Sequence, residues 1–186
     1  MIGFLLFEAM EELDFAGPWE IFSVWHDRFG GPSCVAIAGS IQPVTCRYGL
    51  RVLADVTLEE APDLSALIVP GGEGSKATAE DEDVLDFVQA TCNAGSDILS
   101  VCTGARILAA AGILKGKTAT THHSARDEAR TWPDVAVSSE RYVQDGAVWT
   151  SAGVTAGMDL ALAYVAAVGG PETAKSVAAF VEYDEC

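Results

Sequence analysis

The chain has 186 residues, 49% hydrophobic and 20% charged, which suits one compact domain with a sizeable core. Its net charge of −16 repels nucleic-acid phosphates and anionic lipid, so no nucleic-acid partner and no membrane partner is expected. No apolar run reaches membrane-spanning length, and the opening MIGFLLFEAM lacks the positive n-region of a signal peptide. In chain order, Ile2–Phe7 is a predicted strand. Pro18–Val24 is helical, with Pro18 suited to a first turn. Cys34–Ala38 is a second strand. Val44–Cys46 and Leu50–Ala54 form a hairpin around Tyr48-Gly49. Leu64–Val69 is a buried strand that ends in PGGEG, residues 70–74. Glu82–Asn93 is an amphipathic helix stopped by Gly95. Ile98–Val101 is another buried strand, and Thr103–Ala111 an alanine-rich helix. Lys117–Thr121 is a strand and Ser124–Thr131 a short helix. Arg141–Val143 and Ala147–Thr150 bracket the turn Asp145-Gly146. Thr155–Val168 and Pro171–Phe180 are the last two helices.

Strands that alternate with helices, and are themselves nearly continuous apolar runs, argue a parallel sheet covered on both faces. The chain therefore reads as one α/β domain, residues 1–186, of doubly wound type. Ligands in such sheets sit beyond the C-terminal ends of the strands. Three loops there stand out: those after Phe7, Val69 and Val101. The five cysteines, Cys34, Cys46, Cys92, Cys102 and Cys186, are odd in number and include no CxxC pair. They make neither a disulfide framework nor a zinc site, and a reducing cytoplasm is the expected compartment. The three histidines are a poor metal set.

Cys102 lies where a strand meets a helix, in SVCTGARIL. This is the logic of a nucleophile elbow: the sharp turn exposes the side chain and Gly104 lets the helix come close. A helix N-terminus offers free N–H groups and partial positive charge, which favour thiolate over thiol. Cys34, Cys46 and Cys92 read instead as small buried apolar groups. In PGGEG, Gly71 and Gly72 allow backbone N–H groups to face a ligand, and Gly72 with the Thr103 N–H would make an anion hole. Four acids follow the first strand: Glu8, Glu11, Glu12 and Asp14. Glu11 and Glu12 read as solvated. Asp14, between Leu13 and Phe15, would have a raised pKa beside a thiol and shuttle a proton. His122 follows a strand, and either faces the crevice or braces the strand end. No orienting acid accompanies it, so no triad is assigned. Ser151–Thr155, with Gly153 and Val154, would form a pocket wall, and the apolar positions after Met158 are core. Of Phe22, Trp19 and Trp25, Phe22 is expected in the core.

VPGGEG, SVCTGARILAAAGIL, TATTHH and SAGVTAGMDLALAYV, in this order from Ile2 to about Phe180, resemble the ThiJ/PfpI (DJ-type) superfamily. The resemblance implies a flavodoxin-like α/β sandwich, a homodimer, a reactive Cys102 at the elbow and a carboxylate from the loop after the first strand in contact with it. Asp14, four residues before a proline in LDFAGP, and Thr103 after the cysteine resemble the branch of isonitrile hydratase, which includes N-terminal domains of AraC-type regulators. PfpI-type proteases carry a histidine where Thr103 stands, so protease activity is disfavoured. The chain stops at Cys186, so the helix-turn-helix half of the regulators is expected to be absent. His123 replaces the tryptophan common after Thr-Thr-His in this branch. The implied activity is hydration of a small electrophile, an isonitrile to an N-substituted formamide, with no cofactor and no metal required. Cys102 is its nucleophile and Asp14 its acid and base. Thr103 bonds Asp14 or the intermediate, and Gly71, Gly72, Gly104, His122, Gly153 and Val154 line the site. Two other readings are glyoxalase or deglycase action on small aldehydes, and a non-enzymatic oxidative-stress sensor or chaperone-like protein.

Overall fold

The computed structural model describes residues 1–183; Cys186 lies outside them. The strands are β1 (Ile2–Leu6), β2 (Cys34–Ala38), β3 (Val44–Thr45), β4 (Arg51–Val52), β5 (Val56–Thr57), β6 (Ala66–Val69), β7 (Asp97–Ser100), β8 (Lys117–Ala119), β9 (Val135–Val137), β10 (Tyr142–Asp145) and β11 (Val148–Ser151). Seven make the central sheet, in the order β10-β11-β7-β6-β1-β2-β5. All neighbours pair in parallel except β10 and β11, which form the antiparallel hairpin expected around Asp145-Gly146. β1 and β6 are buried at every position, as parallel strands covered on both faces require. From β1 the chain steps outward to β2 and β5, then returns to lay β6 on the other side of β1. The sheet's switch point thus falls between β1 and β6, where a doubly wound sheet opens a crevice.

The helices are α1 (Glu12–Phe29), α2 (Ser75–Thr78), α3 (Glu82–Asn93), α4 (Ala105–Ala110), α5 (Arg126–Ala129), α6 (Ala156–Gly169) and α7 (Pro171–Phe180). α1, α6 and α7 pack on one another, and α2 and α3 pack on α4. The fold is the flavodoxin-like α/β sandwich that the motifs imply. Phe4 of β1 meets Phe15 and Phe22 of α1 edge to face, with centroids 5.7 and 6.1 Å apart, the arrangement favoured by ring quadrupoles. Phe22 and Trp25 are in the core, and Trp19 packs against its edge.

α1 begins at Glu12, well before the expected Pro18, which lies inside the helix. Pro18 has no N–H for the carbonyl of Asp14 four residues earlier. Burial overrides that loss: Asp14, Phe15, Ile21, Phe22 and Trp25 all face inward. The run Thr103–Ala111, expected as one helix, opens with a tight 3₁₀ turn, Cys102–Gly104, before α4. Lys117–Thr121 is strand only to Ala119, and it pairs with β9 outside the main sheet. The expected helix at Ser124–Thr131 is a 3₁₀ turn plus α5. β5, α2 and β9 are too short to leave a periodic signal. The hairpin β3–β4 and α3 form where expected.

Gly104 shows how tightly the elbow is seated. A Cβ there would overlap the carbonyl oxygen of Val69 and lie 2.8 Å from that of Pro70. These are backbone atoms with little room to yield. Gly104→Ala is expected to destabilise the fold by about 1–3 kcal/mol, read as a lowered urea midpoint at unchanged slope.

Candidate active site

Cys102 follows the end of β7 and holds φ at +57°, a left-handed conformation rare outside glycine. Two hydrogen bonds fix it there. Its N–H donates to the Ala152 carbonyl at 2.9 Å, and its carbonyl accepts from Thr121 Oγ1 at 2.8 Å. Its side chain is only 6% exposed. The N–H groups of Thr103 and Val154 and the Thr103 hydroxyl act on the sulfur and favour its charged form. Val154 also has a positive φ, +44°.

Asp14 comes from the first turn of α1 and is 0% exposed. Its Oδ2 accepts from the Gly71 N–H at 2.9 Å. Cys102 is the neighbour whose side chain acts on the carboxyl, and Oδ1 is buried without a hydrogen-bond partner. The two loops that bring Asp14 and Gly71 together are laced to each other. Glu11 N–H donates to the Gly71 carbonyl at 2.9 Å and Gly74 N–H to the Ala9 carbonyl at 3.1 Å.

This closeness fixes the protonation of the pair. Burial raises the Asp14 pKa to about 7, offset in part by the Gly71 N–H. Burial, then the Asp14 charge, pushes the Cys102 thiol up to about 12, while the N–H groups of Thr103 and Val154 pull it down. The expectation of a preformed thiolate is therefore corrected. The turn's N–H groups do act on the sulfur, but a dry site and a facing carboxylate outweigh them. At rest Cys102 is a thiol, and Asp14 takes and releases its proton near neutrality.

Other expectations are also corrected. The Gly72 N–H does not face open space; it donates to Thr103 Oγ1 at 2.9 Å. The donors at the sulfur are those of Thr103 and Val154 instead. The Thr103 hydroxyl makes no bond to Asp14; it pairs with Gly72 and with Ser75 Oγ. Gly71 and Gly104 give room: a Cβ on Gly71 would lie 2.5 Å from the Thr103 N and 2.9 Å from the Gly104 N. His122 packs its ring on Gly153, where a Cβ would lie 3.0 Å from Nε2. Its Nδ1 lies 2.8 Å from Ser124 Oγ and 3.3 Å from the Ser124 N. Its pKa is lowered, first by burial and then by His123 and Arg126, so the ring is neutral. Glu12, expected in solvent, accepts from the Tyr48 N–H at 2.6 Å and ties the β3–β4 hairpin down; Glu8 does the same at the Thr45 N–H.

Sequence reasoning missed Ser75, Arg106 and Glu128. Ser75 is fully buried and bonds the Gly72 carbonyl and Thr103 Oγ1. Arg106 reaches Ser75 from α4 and is forked by Glu128. A lone arginine in the apolar run ARILAAAGIL was the available signal. Cys34, Cys46 and Cys92 are free thiols, and burial raises Cys34 and Cys46 to about 11. Among the described residues no group of three or more His, Cys, Asp or Glu is placed to hold a metal ion, and no helix is long and apolar enough to cross a membrane. A cavity of about 700 Å³, lined by Gly39, Glu59, Asp81 and Phe87 among others, shares no residue with this site.

The DJ-1/PfpI family profile matches residues 1–167. The chain belongs to the DJ-1/PfpI family. It is 37% identical over 191 residues to an isonitrile hydratase of Pseudomonas putida, covering 98% of this chain and 78% of that one. It is 32% identical over 154 residues to protein DJ-1alpha of Drosophila melanogaster, covering 80% and 70%. Among solved structures, a ThiJ/PfpI family protein from Pseudomonas syringae superposes with a TM-score of 0.92 at 35% identity, covering 100% of this chain and 75% of that one. With the family established, the elbow cysteine and its carboxyl neighbour become the features by which this DJ-1/PfpI member is to be read.

The raised Asp14 pKa carries a stability consequence with a definite sign. A carboxyl that ionises near 3.8 in the unfolded chain and about 7 in the fold binds its proton more tightly when folded. Its contribution is full below pH 4 and is lost as pH rises to 7. Asp14→Asn, which keeps an acceptor for Gly71 but never ionises, is expected to be more stable than the parent by roughly 2–4 kcal/mol at pH 8. The two should converge at pH 4, as read from urea unfolding at both values.

Proposed function

We propose that the chain is a cysteine-dependent hydratase of small electrophiles of the isonitrile type, with Cys102 as nucleophile and Asp14 as acid and base. The observation that carries this reading is the buried Asp14 carboxyl against the Cys102 thiol, one oxygen anchored on Gly71 and the other free. Ionised Asp14 takes the thiol proton as the sulfur bonds to the terminal isonitrile carbon. That proton passes to the same carbon, giving a thioimidate, R–N=CH–S–Cys102. Asp14, a carboxylate again, takes a proton from water as the water oxygen adds to this carbon, and delivers it to nitrogen. The C–S bond then breaks as the hydroxyl proton returns to sulfur, releasing R–NH–CHO and the thiol. Both steps need a group that gains and loses a proton near neutral pH beside the nucleophile.

The Thr103 and Val154 N–H groups support the sulfur as it takes up charge. His122 and Gly153 form the wall on that side. The slight exposure of Cys102 favours a slender substrate over a peptide. The similarity to the Pseudomonas putida isonitrile hydratase supports the reaction class. The same family likeness supports a cytoplasmic homodimer of one domain. Relatives described as a glutathione-independent glyoxalase of Caenorhabditis elegans, at 28% identity, and as a deglycase of Pyrococcus furiosus, matched over 46% of this chain, make small aldehydes the competing class.

Given a simple alkyl isonitrile, the wild type is expected to form the formamide, followed by absorbance. Cys102→Ala should abolish turnover, and Asp14→Asn should lower it by about 10²–10⁴-fold. kcat/KM should climb through pH 7 as Asp14 ionises. Conversion of methylglyoxal with no formamide from the isonitrile would overturn the hydratase reading.

A further inference from the structure

The motif TATTHH runs from β8 into the loop before α5, and one of its side chains reaches the elbow directly. Thr121 is fully buried, and its Oγ1 donates to the Cys102 carbonyl at 2.8 Å. The residue before it fixes where that hydroxyl stands. Thr120 N–H donates to Thr150 Oγ1 of β11 at 2.8 Å, and Thr120 Oγ1 donates to the Glu140 carbonyl at 2.9 Å. The residue after it, His122, lays its ring on Gly153, in the loop that carries Val154.

Cys102 needs such support more than its neighbours do. Its φ of +57° is a conformation that a residue with a side chain keeps only where its surroundings hold it. On one side, its N–H is tied to the Ala152 carbonyl of the loop after β11, at 2.9 Å. On the other side lies the peptide that joins Cys102 to Thr103. That unit is planar, so its carbonyl and its N–H turn together as one body. The carbonyl end is bound to Thr121. The other end is the Thr103 N–H, which acts on the Cys102 sulfur and favours its charged form. A peptide that turned away from Thr121 would carry this N–H away from the sulfur.

We propose that Thr121 is a positioning residue: its hydroxyl locks the Cys102–Thr103 peptide and so keeps the Thr103 N–H turned on the Cys102 sulfur. The inference rests on the reading of Cys102 as the reactive thiol, but it does not depend on the substrate being an isonitrile. Thr121 Oγ1 bonds the backbone of Cys102 rather than its sulfur, and acts through that peptide. The charged group that acts on the sulfur is Asp14 of α1, with Glu11 acting on Asp14 in turn. His122, with His123 and Arg126 acting on it, is the titratable neighbour of Thr121 in the chain. All of these stay in place in the substitutions that test the proposal.

The test reads the thiol directly, by the rate of iodoacetamide labelling of Cys102 from pH 6 to 10, with the site located by peptide mass spectrometry. Thr121→Val, which removes the hydroxyl and keeps the branched shape, is expected to slow labelling about three- to tenfold at a given pH. The rising limb should move to higher pH, as loss of a donor to a developing thiolate requires. Thr121→Ala is the second variant without the hydroxyl, and decides the matter if Thr121→Val does not fold. Thr121→Ser, which keeps the hydroxyl, should restore the wild-type profile. Thr91→Val is the control, because it removes a hydroxyl bonded to a backbone carbonyl at the same 2.8 Å, in α3. It should leave the labelling profile unchanged even where it lowers the melting temperature. If Thr121→Val or Thr121→Ala lowers the melting temperature but labels as the wild type does, Thr121 is structural and the proposal is wrong. It is equally wrong if Thr121→Ser labels as slowly as Thr121→Val, since the hydroxyl is then not what acts. If native Cys102 takes no label at any of these pH values while the unfolded chain does, the reactive thiol and the role of Thr121 fall together. Absence of formamide with the labelling pattern intact would instead remove the isonitrile and leave Thr121 in its role.

Discussion

Burying the Asp14 carboxyl beside the Cys102 sulfur sets two potential negative charges in a space too dry to solvate both. The backbone around them is arranged to meet that conflict. One carboxyl oxygen is given the Gly71 N–H, and the sulfur is given those of Thr103 and Val154. Neither supply is enough to ionise both groups at once, and this insufficiency is what makes the pair chemically useful. A carboxyl that titrates near 7 can act as base and acid in the same cycle, whereas a carboxyl at its ordinary value would hold no proton to give.

The fold delivers this geometry through its topology. The reversal between β1 and β6 places the loops after those strands side by side, and β7 beyond them brings the elbow. Glycines set the separations: Gly71 and Gly104 remove the side chains that would hold the elbow off the β6 loop. The acid-rich loop is then strapped from outside. Glu8 and Glu12 bond backbone N–H groups of the β3–β4 hairpin, and Arg47 of that hairpin pairs with Glu73 of the loop after β6. Glu12, which reads as solvated in the sequence, thus ties the first turn of α1, which carries Asp14, to that hairpin.

Much of this was legible in the sequence because it is local. The strand-Cys-Thr-Gly pattern announces the elbow, PGGEG the loop facing it, and the apolar neighbours of Asp14 its burial. What stayed hidden was direction and competition. Nothing in PGGEG reveals that both glycine N–H groups are already taken, one by Asp14 and one by Thr103. Nothing in CTG reveals that a carboxylate across the crevice outweighs the turn's N–H groups at the sulfur. Arg106 bonds Ser75 across 31 residues and Glu128 across 22, so no periodic pattern could report these contacts. Pro18 misled for a related reason: a local rule for helix starts gave way to the burial of α1's inner face.

The central claim is the protonation of Asp14, and the carboxyl itself can be observed. Infrared difference spectra between wild type and Asp14→Asn isolate its C=O stretch as pH is varied. The account predicts the band of a protonated, buried carboxyl at pH 6, disappearing with a midpoint near 7. A carboxylate already ionised at pH 5, with its midpoint near 4, would contradict it, because Asp14 would then have no proton to pass between the thiol and the substrate.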